Sequence, residues 1–571
     1  MQNPPARSAL FALADGYVED YLALSPLTAT FAGAAGHDDE LDDFSPAGRE
    51  RRADLLSATQ RTLAATPEID EADRIAAAAL GERLAAESAI VAAREDARTF
   101  GVIDSPVMNI RQVFELMAAG SAADVDVIVR RFRAVASSLA SWRETLEDAL
   151  ARGEVTARRH VEGVAAQAEA MAQAGWGAFA EGVLAASGVD AGAAGFSAAL
   201  DQTRAAYAET ARWLRERYLP HASESARVGR ERYEPWVRYY TGADLDLDEV
   251  YAWGFEELTQ LNERMWEIAR DVAPEARRLD EVADVLDRDP AYRIEGTEQL
   301  LARLRAFTDE TVARLDGAQF AIDPRIAFCD VRLAPEGAAA APYYIGPSED
   351  LARPGTTWFP TLGETSFTWW RQVSTWYHES VPGHHLQFGT IVVNRERLSR
   401  YQRLLGWSSG WAEGWALYAE RLMDELGAYD SPGYELGFLQ GQALRAARVV
   451  VDIGLHLGLP APRDFGTLEG VGDIGGRVWE PEWAVATLVE RAMETRVFAV
   501  SEVDRYLAIP GQAISYKVGE RTWREARAGA QSRLGSGFDL PAFHAYALSL
   551  GPLGLDPFAA EMRRWDGAAP S

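Results

Sequence analysis

The sequence predicts a mainly α, multi-helix protein with a small β-sheet beside the helix that carries its candidate site. Three observations predict it. Residues 1–230 are rich in Ala, Glu, Arg and Leu, with apolar positions at three- and four-residue spacing. Residues 322–362 change to short β-prone runs broken by proline and glycine. After them comes WYHESVPGHHLQ (376–387), which holds three of the chain's eight histidines, and helical texture then resumes to the end.

Taken in order, ADRIAAAALGERLAAESAIVAARED and AADVDVIVRRFRAVASSLASWRETLEDALARGE read as amphipathic helices, because only a 3.6-residue period puts their apolar residues on one face. DSPVMN and ASGVDAGAAGFS punctuate them as turns. LDLDEVYAWGFEELTQLNERMWEIARDV opens the next helical block, with Asp246 or Asp248 as its cap. A boundary near 235 divides an N-terminal helical region, 1–235, from a second region, 236–571, that holds the histidine-bearing stretch and the small sheet. A small sheet near 322–362 suits a peptide-binding hydrolase, since an edge strand can align an extended substrate.

The chain has 571 residues and a formal net charge of −29. A nucleic-acid partner wants a basic face, and an anionic membrane does too, so neither is expected. The acidity weakly favours neutral or cationic ligands. The single cysteine, Cys329, excludes an intrachain disulfide and a cysteine zinc site. Acidic residues interrupt the apolar stretches near the N-terminus, no basic cluster leads into a hydrophobic run, and no window is long and apolar enough to span a bilayer. The expected location is cytoplasmic. A homodimer is compatible with the sequence, which sets no oligomeric state.

His378-Glu379 supplies the first half of a zinc-hydrolase helix: an imidazole ligand, and a carboxylate to serve as general base. The usual second histidine, four residues on, is replaced by Pro382. On a straight helix His385 would keep the face but lie about 10 Å along the axis, and His384 would be off-face by roughly a third of a turn. Proline does not sit undisturbed in a helix interior, and Gly383 permits unusual dihedrals. A bulge at 381–383 would return His384 to the metal, with His385 as the alternative ligand and otherwise a substrate-binding or ligand-tuning residue. SSGWAEGWALYAERLMDEL (408–426) is a strong helix signal; it offers Glu413 as the third ligand, and Glu420, on the same face, as a further ligand or a substrate-binding group.

Two more constellations bear on the site. In LRAARVVVDIGLHLGL, Arg448, Asp452 and His456 recur every four residues in an otherwise apolar helix. They form either an internal polar ladder or a ladder whose end, Arg448 or His456, reaches a substrate carboxylate or an oxyanion. In AIPGQAISYKVGERTWREAR, Tyr516 is either a packing residue or a donor to a tetrahedral intermediate. Tyr344, in PYYIGP, is a candidate for the cleft wall, whereas His544 reads as structural.

YHESVPGHHLQ, GWAEGWALYAERL, RAARVVVDIGLH and AIPGQAISYKVG, in this order and spacing, together resemble the bacterial domain-of-unknown-function 885 family. PYYIGP and FDLPAFHAYALSLGPL extend the match over roughly the C-terminal 330 residues. The resemblance implies a gluzincin-like, multi-helix metallopeptidase fold with a small sheet. It also implies one zinc ion per chain on His378, on His384 or His385, and on Glu413, with Glu379 as base. The expected function is zinc-dependent hydrolysis of peptide or peptide-like amide bonds in small substrates, with Tyr516 or His456 stabilising the oxyanion. The alternatives are a metal-dependent esterase or amidase on a non-peptide molecule, and a non-catalytic helical protein without metal.

Overall fold

The computed structural model describes residues 8–190, 195–334 and 341–568, and 67% of the chain is helix. The first seven residues, read above for a leader, and residues 335–340, within the expected β region, lie outside the described residues. The chain divides into two compact units. One comprises residues 1–68, 84–235 and 504–510; the other comprises 69–83, 236–503 and 511–571. The sequence's single boundary near 235 coincides with one of these junctions and does not foresee the exchanged segments 69–83 and 504–510.

The first unit is built on three long helices, α1 (Ala122–Ala151), α2 (Arg158–Gln173) and α3 (Phe196–Trp213). Ser121 caps α1 by accepting from the Asp124 amide. The apolar stripes close over an aromatic centre. Phe114 stacks on Phe132 at 4.6 Å, and Trp176 meets both edge-on.

The second unit carries the candidate site. Its α4 (Leu247–Val272) starts at Asp246, whose carboxylate accepts from the amides of Asp248 and Glu249 at 3.1 Å; Asp246, and not Asp248, is the cap. A three-stranded sheet follows: β1 (Asp330–Leu333), β2 (Tyr343–Ile345) and β3 (Thr356–Phe359). Its order is β1-β3-β2. β1 runs parallel to β3 and β2 antiparallel to it, with Tyr344 opposite Thr357, so β2 is an edge strand.

Five helices then frame a cavity: α5 (Gln372–Glu379), α6 (His384–Val393), α7 (Ser409–Glu425), α8 (Pro432–Leu457) and α9 (Ser515–Leu534). α8 is buried on nearly every side, as its almost uninterrupted apolar sequence requires. α7 and α9 cross at glycines. A Cβ on Gly414 would sit 2.6 Å from the Gly519 Cα, so neither position accepts a side chain at this spacing.

Candidate metal centre

The break between α5 and α6 builds the site. α5 ends at Glu379 and α6 begins at His384, so the local bulge expected at 381–383 is instead a complete interruption with a new helix on its far side. The cause is chemical. Pro382 has no amide hydrogen to continue the helix, and its bond to Val381 is cis. The Gly383 amide turns back to donate to the Tyr377 carbonyl at 3.0 Å, and the His385 amide donates to that of Ser380 at 3.1 Å. The Trp415 indole N–H spans the carbonyls of Pro382 and Gly383 at 2.9 and 3.1 Å, tying the turn to α7.

Gly383 cannot be replaced there. A Cβ would lie 1.9 Å from the His378 carbonyl oxygen, which is backbone and cannot yield. Gly383→Ala should therefore destabilise the fold by about 1–3 kcal/mol or more and spread the two histidines apart. Thermal unfolding and bound-metal content measured on the same preparation check this; an alanine variant with unchanged melting and full metal would contradict it.

The turn brings His378 and His384 together with Glu413 of α7. Their ligand atoms, one from each residue, all lie within 4.8 Å of one another. His378 Nε2 is 3.1 Å, and His384 Nε2 3.7 Å, from the same Glu413 oxygen. Ligands on a tetrahedral zinc stand about 3.3 Å apart, given bonds of about 2.0–2.1 Å. The three donors thus fit one small divalent ion, and two imidazoles with one carboxylate leave a fourth position open.

Each histidine is held by its other nitrogen. His378 Nδ1 donates to Glu420 at 2.8 Å; Glu420 in turn accepts from Ser374 Oγ at 2.5 Å, and its main-chain oxygen accepts from the Tyr429 hydroxyl. His384 Nδ1 faces the Gln387 side-chain oxygen at 3.4 Å, and the Gln387 amide donates to the Trp411 carbonyl. Both rings therefore present Nε2 to the centre, the arrangement metal-ligating histidines use. Burial disfavours a charged His378 ring, but its hydrogen bonds to Glu413 and Glu420 outweigh burial and raise it above the ordinary histidine range. Burial alone would likewise raise Glu413, yet the two histidines hold it well below the usual carboxylate range.

Several residues take roles other than those expected. Glu420, a candidate ligand or substrate-binding group by sequence, is 1% exposed, is not among the three converging donors or the residues lining the cavity, and meets His378 Nδ1 in the place of an orienting neighbour. Glu420→Gln keeps the shape and an acceptor but removes the charge, so metal affinity should fall roughly 10–100-fold. Competition against a fluorescent chelator measures this, and unchanged affinity would remove the orienting role. His385 is neither ligand nor pocket residue. Its Nε2–H donates to the Ile326 carbonyl at 2.8 Å, and Nδ1 accepts from the Tyr344 hydroxyl at 3.0 Å. Burial lowers its pKa to about 4, so the ring is neutral and fully used.

His456 is wholly buried beside Asp452, at 3.6 Å, and outside the cavity wall. Arg448 and His456 are eight residues apart, about 12 Å along the helix, so one end of the ladder alone can reach a site. That end is Arg448, which lines the cavity and pairs with Glu502 at 2.7 Å. Tyr516 also lines the cavity, its ring 4.6 Å from the Arg448 guanidinium carbon. Tyr344 lines the wall through its ring, since its hydroxyl is spent on His385. His544 is buried against Tyr418 and Phe320, as its structural reading requires.

The cavity measures about 580 Å³ and opens onto the histidine pair, with Glu379 on the same wall. Glu379 has no hydrogen-bond partner among the described residues, and burial raises its pKa. Sequence reasoning missed Arg445, Arg371 and Glu494, which also line the cavity. Arg445 was accessible to it: Gly441, Arg445 and Arg448 recur on one face of α8. Glu494, within RAMETR, carries no signal.

A mainly helical unit enclosing a pair of histidines and a glutamate at a cavity defines a class of candidate metal-site proteins. The chain belongs to the bacterial family of proteins of unknown function designated DUF885, whose profile matches residues 26–562. None of the curated proteins matches it. Two solved structures share its fold. The "putative lipoprotein" from Colwellia psychrerythraea superposes with a TM-score of 0.82 at 20% identity, over 97% of this chain and 98% of that one. The "putative lipoprotein of unknown function" from Shewanella oneidensis gives 0.76 at 19% identity, over 97% of this chain and all of that one.

Proposed function

We propose that this protein is a metal-dependent hydrolase of peptide or peptide-like amide bonds in small substrates, with zinc as its ion and a gluzincin-like arrangement of its catalytic groups. The observation that carries the reading is the convergence of two Nε2 atoms and one carboxylate beside the otherwise unengaged Glu379. Two imidazoles and a carboxylate are a donor set suited to zinc. Bound there, the ion would supply Lewis acidity and make a water acidic enough to be deprotonated near neutral pH.

The chain's own groups do the rest. Glu379 takes a proton from the attacking water and later delivers it to the departing nitrogen. Glu379 lines the cavity, within reach of a water that enters it. Tyr516 and Arg448 line the same cavity and are the candidate donors to the developing oxyanion. β2, an edge strand among the described residues, can align an extended substrate, and the cavity volume suits a short peptide, not a folded protein. Elemental analysis of protein purified without chelator tests the reading, with near one equivalent of metal expected. Protein that holds no zinc even after zinc is added would overturn it.

A further inference from the structure

α8 turns a cationic face to the cavity. Gln440, Gly441, Leu444, Arg445 and Arg448 line it, and Arg371, just before α5, adds a third guanidinium. The three arginines are not equivalent. Arg371 lies 3.6 Å from Asp287, and Arg448 2.7 Å from Glu502. Arg445 has no carboxylate within ion-pairing distance among the described residues; its Nη1 donates to the Gly441 carbonyl at 3.2 Å, and its buried Nε has no hydrogen-bond partner. A buried guanidinium donor left unmatched costs free energy unless something supplies an acceptor. Glu494 shares this wall, but burial pushes it up to about 7, so it only partly offsets the positive charge near neutral pH.

The unmatched arginine is also close to the reacting centre. A Cβ on Gly441 would lie 3.0 Å from Arg445 Nη1 and 3.7 Å from the Glu420 carboxylate that steadies His378. Glycine at 441 leaves this space open between them. Arg445 thus offers the cavity a guanidinium with no ion-pair partner among the described residues, in the electrostatic reach of Glu379 and Glu494, and a planar guanidinium matches a carboxylate in particular.

We propose that Arg445, flanked by Arg448, receives the free carboxylate of a short peptide, so that cleavage falls close to the substrate's C-terminus. This deepens the hydrolase reading above and rests on it for the bond that is cut. Water adds across the scissile C–N bond: its hydroxyl goes to the carbonyl carbon and its proton to the departing nitrogen. The departing amino acid or dipeptide keeps the carboxylate that Arg445 holds. The chain's net acidity pointed to neutral or cationic ligands, but the field inside a cavity is set by the charges that line it.

The test compares an N-acetylated dipeptide with its C-terminal amide. Calorimetric titration of the full-length protein, both chelator-treated and zinc-loaded, reads binding; hydrolysis of the matching longer pair reads turnover. The free acid should bind roughly tenfold or more tightly than the amide, including in the chelator-treated protein, where no ion can hold the carboxylate. Arg445→Gln should collapse that ratio towards one, while Arg445→Lys restores part of it. Equal binding of acid and amide, no measurable binding of either, or an acid preference that survives Arg445→Gln would overturn the proposal. Acid preference without hydrolysis of any peptide would instead keep the carboxylate site and sink the hydrolase reading, so the two failures are distinguishable.

Discussion

Glu379→Gln should retain its full complement of metal and lose peptide hydrolysis by roughly a hundred- to ten-thousand-fold. The substitution exchanges one carboxylate oxygen for an amide nitrogen at nearly constant shape, so packing between α5 and the cavity is preserved. It removes the proton acceptor and the negative charge together. Glu379 is not among the three converging donors, so metal content should not follow activity down. The Glu379 side chain has no hydrogen-bond partner among the described residues, so the exchange breaks no hydrogen bond there. Activity and metal are to be measured on the same preparation. A variant that still hydrolyses peptides at near the parent rate removes Glu379 from the mechanism, whereas one that loses metal as well would make Glu379 a ligand.

The difference between what the residues disclosed and what they concealed has a physical origin. Helix periodicity made the helical character legible, because burying one face imposes a period whatever the neighbours are. His378, His384 and Glu413 were legible because few structural roles explain a histidine beside Pro-Gly and a glutamate flanked by tryptophan and glycine. Pro382 showed that a straight helix was impossible. It could not show that the chain would stop and begin a second helix at His384, which depends on Trp415 gripping two carbonyls from another helix. That the Glu420 carboxylate would meet the far nitrogen of the His378 ring was hidden for the same reason. Glu413 and Glu420 share one face of α7, and only the placement of the His378 ring between them distinguishes their roles. His456 misled because its spacing from Arg448 gives a shared helix face but says nothing of which end of a long helix meets the cavity.

The ligand set itself gives the second large effect. His384→Ala and Glu413→Ala should each abolish stoichiometric metal, with affinity falling by more than the roughly 10–100-fold that loss of an orienting neighbour costs. Each removes one of three donors from a site where no fourth converging donor stands among the described residues, and leaves a pair too few to hold the ion against water. His385→Ala should behave differently. It forfeits hydrogen bonds to Ile326 and Tyr344, and so costs stability of about 1–3 kcal/mol, but leaves the three donors in place and the metal bound. A control separates ligand loss from unfolding. In the parent, free zinc at a hundred times its dissociation constant should add about 2.7 kcal/mol to the folded state, visible as a melting temperature that drops on adding chelator. In His384→Ala and Glu413→Ala that chelator response should vanish while cooperative unfolding persists, and in His385→Ala it should survive on a lower melting temperature. Metal lost only from the His385 variant would make His385 the ligand, and a parent protein indifferent to chelator would mean that the three side chains converge without holding an ion.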